Sequence, residues 1–260
     1  MNVLERIVAA TREEVARRRR ARPELDLEAA VKQRGDDFRA FAEALARPGL
    51  SVIAEHKRRS PSAGPIREDL MLQDVVQAYE RGGAAALSIL TEGPSFGGSL
   101  EDLSAARRVS SLPLLRKDFI VDSYQLLEAL AAGADAVLLI VAALEPEELA
   151  RLHEEATRLG LAALVEVHDA AELETAAGLG APIIGINNRD LTTLEVNPRT
   201  TFELLPRVPA MATVVAESGL RTRSELDRLA EAGLDAVLIG EALMRSPDIE
   251  RACRRLTAPV

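Results

Sequence analysis

The sequence lacks tryptophan, has a single cysteine and contains only 3% aromatic residues. Cys253 alone can build neither a disulfide framework nor a cysteine metal site within one chain. Apolar residues still make up 47% of the chain, which is enough for a large core. Because they are mainly alanine, leucine, valine and isoleucine, we expect helices packed closely on strands and not a β-sandwich.

Excess positive charge and long apolar runs are also missing. The net charge is −9, so the chain has no general attraction to nucleic acid. The one basic run, at 17–20, has the composition of a nucleic-acid or lipid patch, but flanking acidic residues favour a solvated helix end. Without a membrane-length apolar run or a recognisable signal peptide, we expect a cytoplasmic protein with no membrane or nucleic-acid partner.

One pattern recurs: a short run of valine, isoleucine, leucine and alanine, then polar or glycine-containing residues, then a charged helical stretch. It predicts eight strands, at 51–55, 84–90, 112–116, 136–141, 162–167, 183–186, 213–216 and 236–239. Uninterrupted apolar runs are typical of parallel strands buried on both faces. The stretch 222–233 shows the helical part, because it opens with a capping box from Thr222 to Glu225 and stops at Gly233.

Eight strands alternating with helices leave two architectures, a closed barrel or an open doubly wound sheet. No G-x-G-x-x-G motif follows the first strand, which counts against a dinucleotide-binding sheet. The length and the number of units favour an α/β fold of the (β/α)₈ TIM-barrel type. We expect one domain over 1–260, in which the helical residues 1–50 form an N-terminal extension packed against the barrel.

Charged or amide side chains follow six of the predicted strands directly, where the active sites of barrels form. In chain order they include Glu55, Lys57, Glu92, Lys117, Glu166, Asn187, Arg189 and Glu217. For any one of them a salt bridge or a loop cap is the simpler interpretation. The whole set favours a reaction centre.

Small residues follow the last two strands, Ser218 and Gly219 after the seventh and Gly240 after the eighth. In this architecture these loops commonly bind phosphate through backbone N–H groups. Ser60, after the first strand, would add a hydroxyl. Tight turns would explain either glycine alone, whereas the pair favours a phosphate site. The three histidines show no metal-ligand spacing, so we expect no metal.

Eight stretches in order resemble the indole-3-glycerol-phosphate synthase family over essentially the whole chain. They are IAEHKRRSPS (53–62), LSILTE (87–92), LLRKDFI (114–120), ADAVLLI (134–140), LVEVHD (164–169), IGINNRDL (184–191), VAESG (215–219) and LIG (238–240). The resemblance implies an enzyme of tryptophan biosynthesis that needs no metal or organic cofactor. Its substrate would be anthranilate joined through nitrogen to a deoxyribulose 5-phosphate, and the indole ring would close with loss of carbon dioxide and water.

The resemblance also assigns roles to residues. Catalytic roles fall on Glu55, Lys57, Lys117, Glu166, Asn187, Glu217 and Ser218. Carboxylate contact falls on Arg189, and phosphate contact falls on Ser60, Gly219, Gly240 and the backbone of Glu241. Two positions depart from the family pattern, because many relatives carry tyrosine in place of His56 and serine in place of Glu241.

The implied reaction asks for these residue types. Lys117 is our choice for the acid that protonates the ketone oxygen as the ring closes. Burial and the neighbouring Lys57 should lower the Lys117 pKa towards neutrality, while nearby carboxylates oppose that shift. Dehydration needs a further acid and base, for which Glu55, Lys57 and Glu166 remain open alternatives.

Phe96 and Phe119 follow strands two and three, and are either the apolar wall for a substrate ring or ordinary loop anchors.

Two other classes of protein compete with the synthase interpretation, a sugar-phosphate isomerase barrel and a barrel that has lost catalysis. The Glu-x-Lys and Lys-Asp-Phe motifs after strands one and three count against the isomerase, and the six charged strand ends count against a non-catalytic barrel. No long apolar surface stripe demands a protein partner, so we expect a monomer that binds a small phosphorylated molecule.

Overall fold

The computed structural model describes residues 2–35 and 37–258. Its main strands are β1 (Ser51–His56), β2 (Ala86–Leu90), β3 (Leu114–Lys117), β4 (Ala136–Ile140), β5 (Ala162–Val167), β6 (Ile183–Asn187), β7 (Thr213–Glu217) and β8 (Ala236–Ile239). All pair in parallel, and they close in the order β1-β8-β7-β6-β5-β4-β3-β2. With helices between the strands, this confirms the predicted (β/α)₈ barrel.

Three helices precede the barrel, as the sequence predicted for an N-terminal extension: α1 (Val3–Ala21), α2 (Glu24–Arg34) and α3 (Phe41–Leu45). The others are α4 (Leu72–Arg81), α5 (Leu100–Val109), α6 (Ser123–Ala132), α7 (Pro146–Arg158), α8 (Ala170–Gly178), α9 (Arg199–Leu204), α10 (Arg223–Glu231), α11 (Glu241–Met244) and α12 (Ile249–Thr257). A small hairpin, Arg59–Ser60 with Gly64–Pro65, lies in the loop after β1. Within the described ranges no helix is both long and apolar enough to cross a bilayer.

The starts of β2 and β3 lie later than predicted, at 86 and 114 instead of 84 and 112. Ala84 donates its N–H to the carbonyl of Tyr79 at 3.1 Å and so belongs to the turn that ends α4 at Arg81. Pro113 has no N–H to give to a strand ladder, so β3 begins after it. The capping box predicted at Thr222 and Glu225 is present at the start of α10.

Apolar side chains fill the barrel interior and the layer between strands and helices. The interior group includes Ile53, Leu115, Leu164, Val215 and Leu238. The helix α3 adds Phe41 and Leu45 to this group at the lower end of the barrel, which is the end where the strands begin. The larger group packs the outward faces of the strands against the surrounding helices. Because both faces of the strands are buried, uninterrupted apolar runs are what this sheet requires.

The N-terminal extension is attached to the barrel by buried apolar and charged contacts. Val15 of α1, Leu27 of α2 and Tyr124 of α6 are buried in one cluster. Arg18 of α1 pairs with the buried Glu128 of α6, with 2.7 Å between Nε and Oε1. These contacts fix α1 across one side of the barrel.

Asp135, which precedes β4 at the lower end of the barrel, is 2% exposed and fully hydrogen-bonded. Its Oδ1 accepts from the Arg34 guanidinium at 3.1 Å and from the Arg39 backbone at 2.9 Å. Its Oδ2 accepts from Arg107 and from the Leu114 backbone, both at 2.8 Å. This carboxylate ties the extension, α5 and β3 together.

Candidate active site

Strand alternation brings the predicted catalytic side chains into the barrel. Successive side chains of a strand point to opposite faces, so residues two apart share a face. Four interior apolar residues are Ile53, Leu115, Leu164 and Val215. The residues two positions later are Glu55, Lys117, Glu166 and Glu217. These four charged groups therefore point inward at the carboxyl ends of β1, β3, β5 and β7.

All fourteen residues predicted for the site line one cavity of about 280 Å³ at this end of the barrel. They are Glu55, Lys57, Ser60, Phe96, Lys117, Phe119, Glu166, Asn187, Arg189, Glu217, Ser218, Gly219, Gly240 and Glu241. The cavity is close in size to the pockets that hold small organic ligands. The loops after all but the fourth and fifth strands thus contribute side chains to one opening.

Lys117 is the centre of the charged cluster. Its Nζ lies 2.8 Å from Glu166 Oε2 and 2.8 Å from Glu217 Oε2, and both carboxylates are almost fully buried. Burial lowers the Lys117 pKa, but Glu166, Glu217 and Glu55 outweigh burial and raise it well above its usual range. The predicted shift towards neutrality is therefore wrong, because the ammonium faces carboxylates from three strands.

The two carboxylates that share Lys117 have pKa values displaced in opposite directions. Burial raises the pKa of Glu217 to about 7, and repulsion from Glu166 adds to this against the attraction of Lys117. Burial also acts on Glu166, but Lys117 and His168 outweigh it and hold the Glu166 pKa far below its usual range. Such a separation is typical of an acid–base pair.

Glu217 keeps one oxygen unused. Its Oε1 is buried and has no hydrogen-bond partner within the described part of the chain. Gly185, on the neighbouring strand β6, makes room for that oxygen, since an added Cβ there would lie 2.6 Å from it. An unpaired buried oxygen beside a cavity is available to a ligand hydroxyl or amine.

Glu166 is held by donors from several elements. Asn187 Nδ2 donates to Glu166 Oε1 at 2.9 Å, while Lys117 occupies Oε2. The Asn187 Oδ1 in turn accepts the backbone N–H of Arg189 at 3.0 Å. The amide is therefore oriented by the loop after β6 and in turn fixes the carboxylate.

Glu55 and Lys57 form a second charged pair on β1 and the loop that follows it, opposite β5 in the ring of eight strands. Lys57 Nζ lies 2.7 Å from Glu55 Oε1, and Ser88 Oγ donates to Glu55 Oε2 at 3.3 Å. An added Cβ at Gly240 would lie 2.5 Å from Glu55 Oε1. Gly240 is thus needed to leave room for the Glu55 side chain.

The loop after β7 makes a left-handed turn at two consecutive residues, Ser218 with φ 65° and Gly219 with φ 79°. This conformation is uncommon for serine, and the Asn188 amide supports it by donating to the Ser218 carbonyl at 3.1 Å. Glu241, beyond Gly240, directs its carboxylate to Arg245, with 2.9 Å between Oε1 and Nε. Its acidic side chain is therefore engaged along α11.

An aromatic pair forms the wall of the cavity near β2 and β3. The rings of Phe96 and Phe119 have centroids 6.4 Å apart and planes tilted by 39°. Glu92, at 8% exposure, accepts the backbone N–H of Phe96 at 2.9 Å and fixes that loop. The geometry suits a flat apolar ring lying against the pair.

Comparison with known proteins identifies the family. The family model for indole-3-glycerol phosphate synthase matches residues 4–256. The chain belongs to the indole-3-glycerol phosphate synthase family. An indole-3-glycerol phosphate synthase of a Nocardioides species is 50% identical, with 99% of this chain and 98% of that protein covered. One from Burkholderia vietnamiensis is 46% identical, with 98% of each chain covered.

More distant solved structures share the barrel with this indole-3-glycerol phosphate synthase family member. The 3-hexulose-6-phosphate synthase from Salmonella typhimurium has 15% identity and a TM-score of 0.64, covering 80% of this chain and 97% of its own. The N-acetylmannosamine-6-phosphate 2-epimerase from Clostridium perfringens has 16% identity and a TM-score of 0.62, covering 78% and 90%. At these identities the likeness shows the fold alone.

Indole-3-glycerol phosphate synthases are carboxy-lyases of tryptophan biosynthesis that act on a phosphorylated small molecule. Several residues at or near this site were not among the fourteen predicted for it, and four of them are informative. Val3 and Ile7 of α1 line the cavity, and their spacing of four is the signal of one helix face. Arg221, two residues after Gly219, also lines it. His168 contacts Glu166, and its position two residues later was the available signal.

No group of three or more histidine, cysteine, aspartate or glutamate side chains in residues 2–35 and 37–258 is arranged to hold a metal ion. The carboxylates of the cavity are engaged instead by the ammonium groups of Lys57 and Lys117. The absence of a metal from the catalysis of this synthase stays a prediction.

Proposed function

We propose that this chain closes the indole ring of 1-(2-carboxyphenylamino)-1-deoxyribulose 5-phosphate at the cavity just described, with loss of carbon dioxide and water. The observation that carries the proposal is the placement of Lys117, 2.8 Å from both Glu166 and Glu217, at a cavity rimmed by Ser218, Gly219 and Gly240. A proton donor between two carboxylates, near small residues that allow phosphate to approach, matches both halves of this substrate.

Lys117 is proposed as the acid of ring closure. The aromatic carbon that bears the carboxylate attacks the ketone carbon, a carbon–carbon bond forms, and the ketone oxygen takes a proton from Lys117. Because its carboxylate neighbours raise the Lys117 pKa, the group is protonated at neutral pH and the developing alkoxide is basic enough to accept the proton. Carbon dioxide then leaves, and the electrons of that bond restore the aromatic ring.

Dehydration is proposed to use opposite sides of the opening. Glu166 is stabilised as the anion, so it is suited to take the proton of the substrate nitrogen as the hydroxyl leaves. The adjacent CH₂ carbon of the new ring then gives up one proton and the nitrogen regains its own, which yields the aromatic indole and one molecule of water. Lys57 is paired with Glu55 at the end of β1, on the side of the barrel opposite Glu166. It lines the same cavity and would protonate the leaving hydroxyl. The proposal thus chooses Glu166 as the base and Lys57 as the acid among the three residues that the sequence left as alternatives.

Substrate binding is proposed to divide between three parts of the rim. Phosphate would lie at Ser60, Gly219, Gly240 and the backbone of Glu241, with Arg221 adding positive charge. The anthranilate ring would lie against Phe96 and Phe119. Arg189, whose guanidinium is fixed by a 2.8 Å bond to the Leu194 carbonyl, would contact the carboxylate before it is lost.

The direct test is to incubate the purified protein with this substrate and follow indole fluorescence. We expect product in the absence of added metal or cofactor, and none from an analogue that lacks the ring carboxylate. A wild-type protein that releases no indole product would end the proposal. Conversion of a sugar phosphate without carbon dioxide release would instead favour an isomerase.

We further propose that residues 1–260 act as one domain and as a monomer, without a cofactor and without a nucleic-acid partner, in the cytoplasm. The net charge of −9 supports the lack of a nucleic-acid partner, and the contacts of α1 with the barrel support a single domain. Sedimentation of the full chain as a dimer would contradict the monomer.

A further inference from the structure

His168 follows β5 and shares the inward face of Glu166, two residues before it. Its backbone N–H donates to Glu172 Oε2 at 2.8 Å, and its ring Nδ1 lies 2.9 Å from the same oxygen. Glu172 belongs to the first turn of α8, which Asp169 caps by accepting the N–H groups of Ala171 and Glu172. The imidazole is therefore attached to a rigid helix start and cannot turn freely.

The second ring nitrogen faces the reaction centre. His168 Nε2 lies 3.2 Å from Glu166 Oε1, and the ring has only 12% of its side-chain surface exposed. The contact is an ion-pair approach and not an aligned hydrogen bond. Since each ring nitrogen lies close to a carboxylate oxygen, an imidazolium is attracted to both carboxylates, whereas a neutral ring would leave a nitrogen lone pair beside one of them.

We propose that His168 is a positioning residue, an imidazolium fixed between Glu172 and Glu166 that keeps Glu166 ionised and directed at the substrate nitrogen. The inference rests on the function proposed above, in which Glu166 acts as the base. His168 itself touches no reacting atom. Its effect is to add positive charge behind a carboxylate whose other donors are Lys117 and Asn187.

The charges that surround His168 come from several elements. Glu166 lies on β5, Glu172 on α8, and Asp190 in the loop after β6 is close enough to interact with the ring. Lys117 of β3 is the nearby cation, on the far oxygen of Glu166. Burial lowers the His168 pKa, but Glu166 and Glu172 outweigh it and raise the pKa to about 10.

The two other histidines provide internal controls. Burial lowers the pKa of His56 to about 4, and burial also lowers the pKa of His153 on α7. In ¹⁵N-histidine NMR of the wild-type protein at pH 8, we expect one imidazolium, assigned to His168, and two neutral rings. Three neutral rings at pH 8 would overturn the proposal.

The coupling to Glu166 can be measured from the same signal. In Glu166→Gln the His168 pKa should fall by about one unit or more, because the charge 3.2 Å from Nε2 is gone. A His168 pKa unchanged in this variant would also overturn the proposal. The measurement needs no turnover, so it remains decisive even if the wild-type protein forms no indole and the proposed function fails.

His168→Asn tests the consequence for catalysis. We expect kcat to fall about tenfold at pH 6, with KM changed less than about twofold, and the acid limb of the kcat profile to move to higher pH as the Glu166 pKa rises. His153→Asn is the matched control and should leave the profile unchanged. A wild-type kcat and pH profile in His168→Asn would refute the role, and if that variant does not fold, the Glu166→Gln titration decides.

Discussion

Asp135 and Glu217 are equally buried, each with 2% of its surface exposed, but they lie at opposite ends of the barrel and are surrounded differently. Each oxygen of Asp135 accepts two hydrogen bonds, and the four donors are side chains and backbone groups of four different residues. Glu217 has one donor, Lys117, and one oxygen with no partner in the described structure. A carboxylate whose oxygens all have hydrogen-bond partners holds structural elements together. A carboxylate with an oxygen that lacks a partner can still bind a ligand or exchange a proton.

The difference follows from which strand end each residue occupies. At the lower end, helix ends and the N-terminal extension supply arginines that complete the shell of Asp135. At the upper end, glycines at 185 and 240 make room for the carboxylates of Glu217 and Glu55, which pack against the backbone there. We therefore expect substitutions around Asp135 to reduce stability, and substitutions around Glu217 and Glu55 to reduce turnover.

Lys117→Met should give the largest effect on turnover, a loss of about 10²–10⁴-fold, because it removes the proposed acid. Steady-state indole fluorescence measures it. Binding of inorganic phosphate, followed by calorimetry, is the control and should remain close to wild type. A turnover within tenfold of wild type would contradict the assignment of Lys117.

Asp135→Asn should lower the free energy of unfolding by about 2–4 kcal/mol, because two partly buried arginines lose a fully buried counter-charge. Urea denaturation measures this, and turnover per folded molecule should stay near the wild-type value. Asp227→Asn removes a partly exposed i,i+4 pair with Arg223 and is the matched control, expected to cost at most about 1 kcal/mol. Equal losses in both variants would show that the four hydrogen bonds of Asp135 stabilise the fold no more than a surface ion pair does.

Glu217→Gln should change how stability depends on pH. The folded pKa of Glu217 is raised from 4.5 to about 7, so the folded state holds its proton longer than the unfolded chain does. Stability from this group is therefore complete below pH 4.5 and declines as pH rises towards 7.

The stability of the variant minus that of wild type should consequently rise by roughly 1–3 kcal/mol when the pH is raised from 5 to 8, since one pKa unit corresponds to about 1.4 kcal/mol. Urea denaturation at the two pH values gives the difference. If the stability difference between variant and wild type is the same at pH 5 and pH 8, the pKa of Glu217 is not raised by folding.

Gly185→Ala should have the smallest effect, about a tenfold loss of turnover with about 1 kcal/mol of destabilisation, because the new Cβ displaces Glu217 Oε1 by overpacking. Gly178→Ala is the control, since a Cβ there meets nothing within 4 Å. Its turnover should equal that of wild type. Unchanged turnover in Gly185→Ala would mean that the open oxygen of Glu217 has no role.

The sequence allowed the barrel and the location of the site to be predicted, because apolar runs and the polar residues after them depend only on local order. It did not allow the direction of the Lys117 pKa shift to be predicted. That direction depends on distances to Glu166 and Glu217, residues 49 and 100 positions away. The contact of His168 with Glu166 depends likewise on how the ring is held by Glu172.

The beginning of α1 has a practical consequence for work with this protein. Val3 lines the cavity, so an affinity tag fused ahead of Asn2 would start beside the opening and compete for the space that a substrate needs. Thr257, in contrast, donates to the carbonyl of Gly82 at the far end of the barrel. Purification handles and immobilisation linkers belong after that residue.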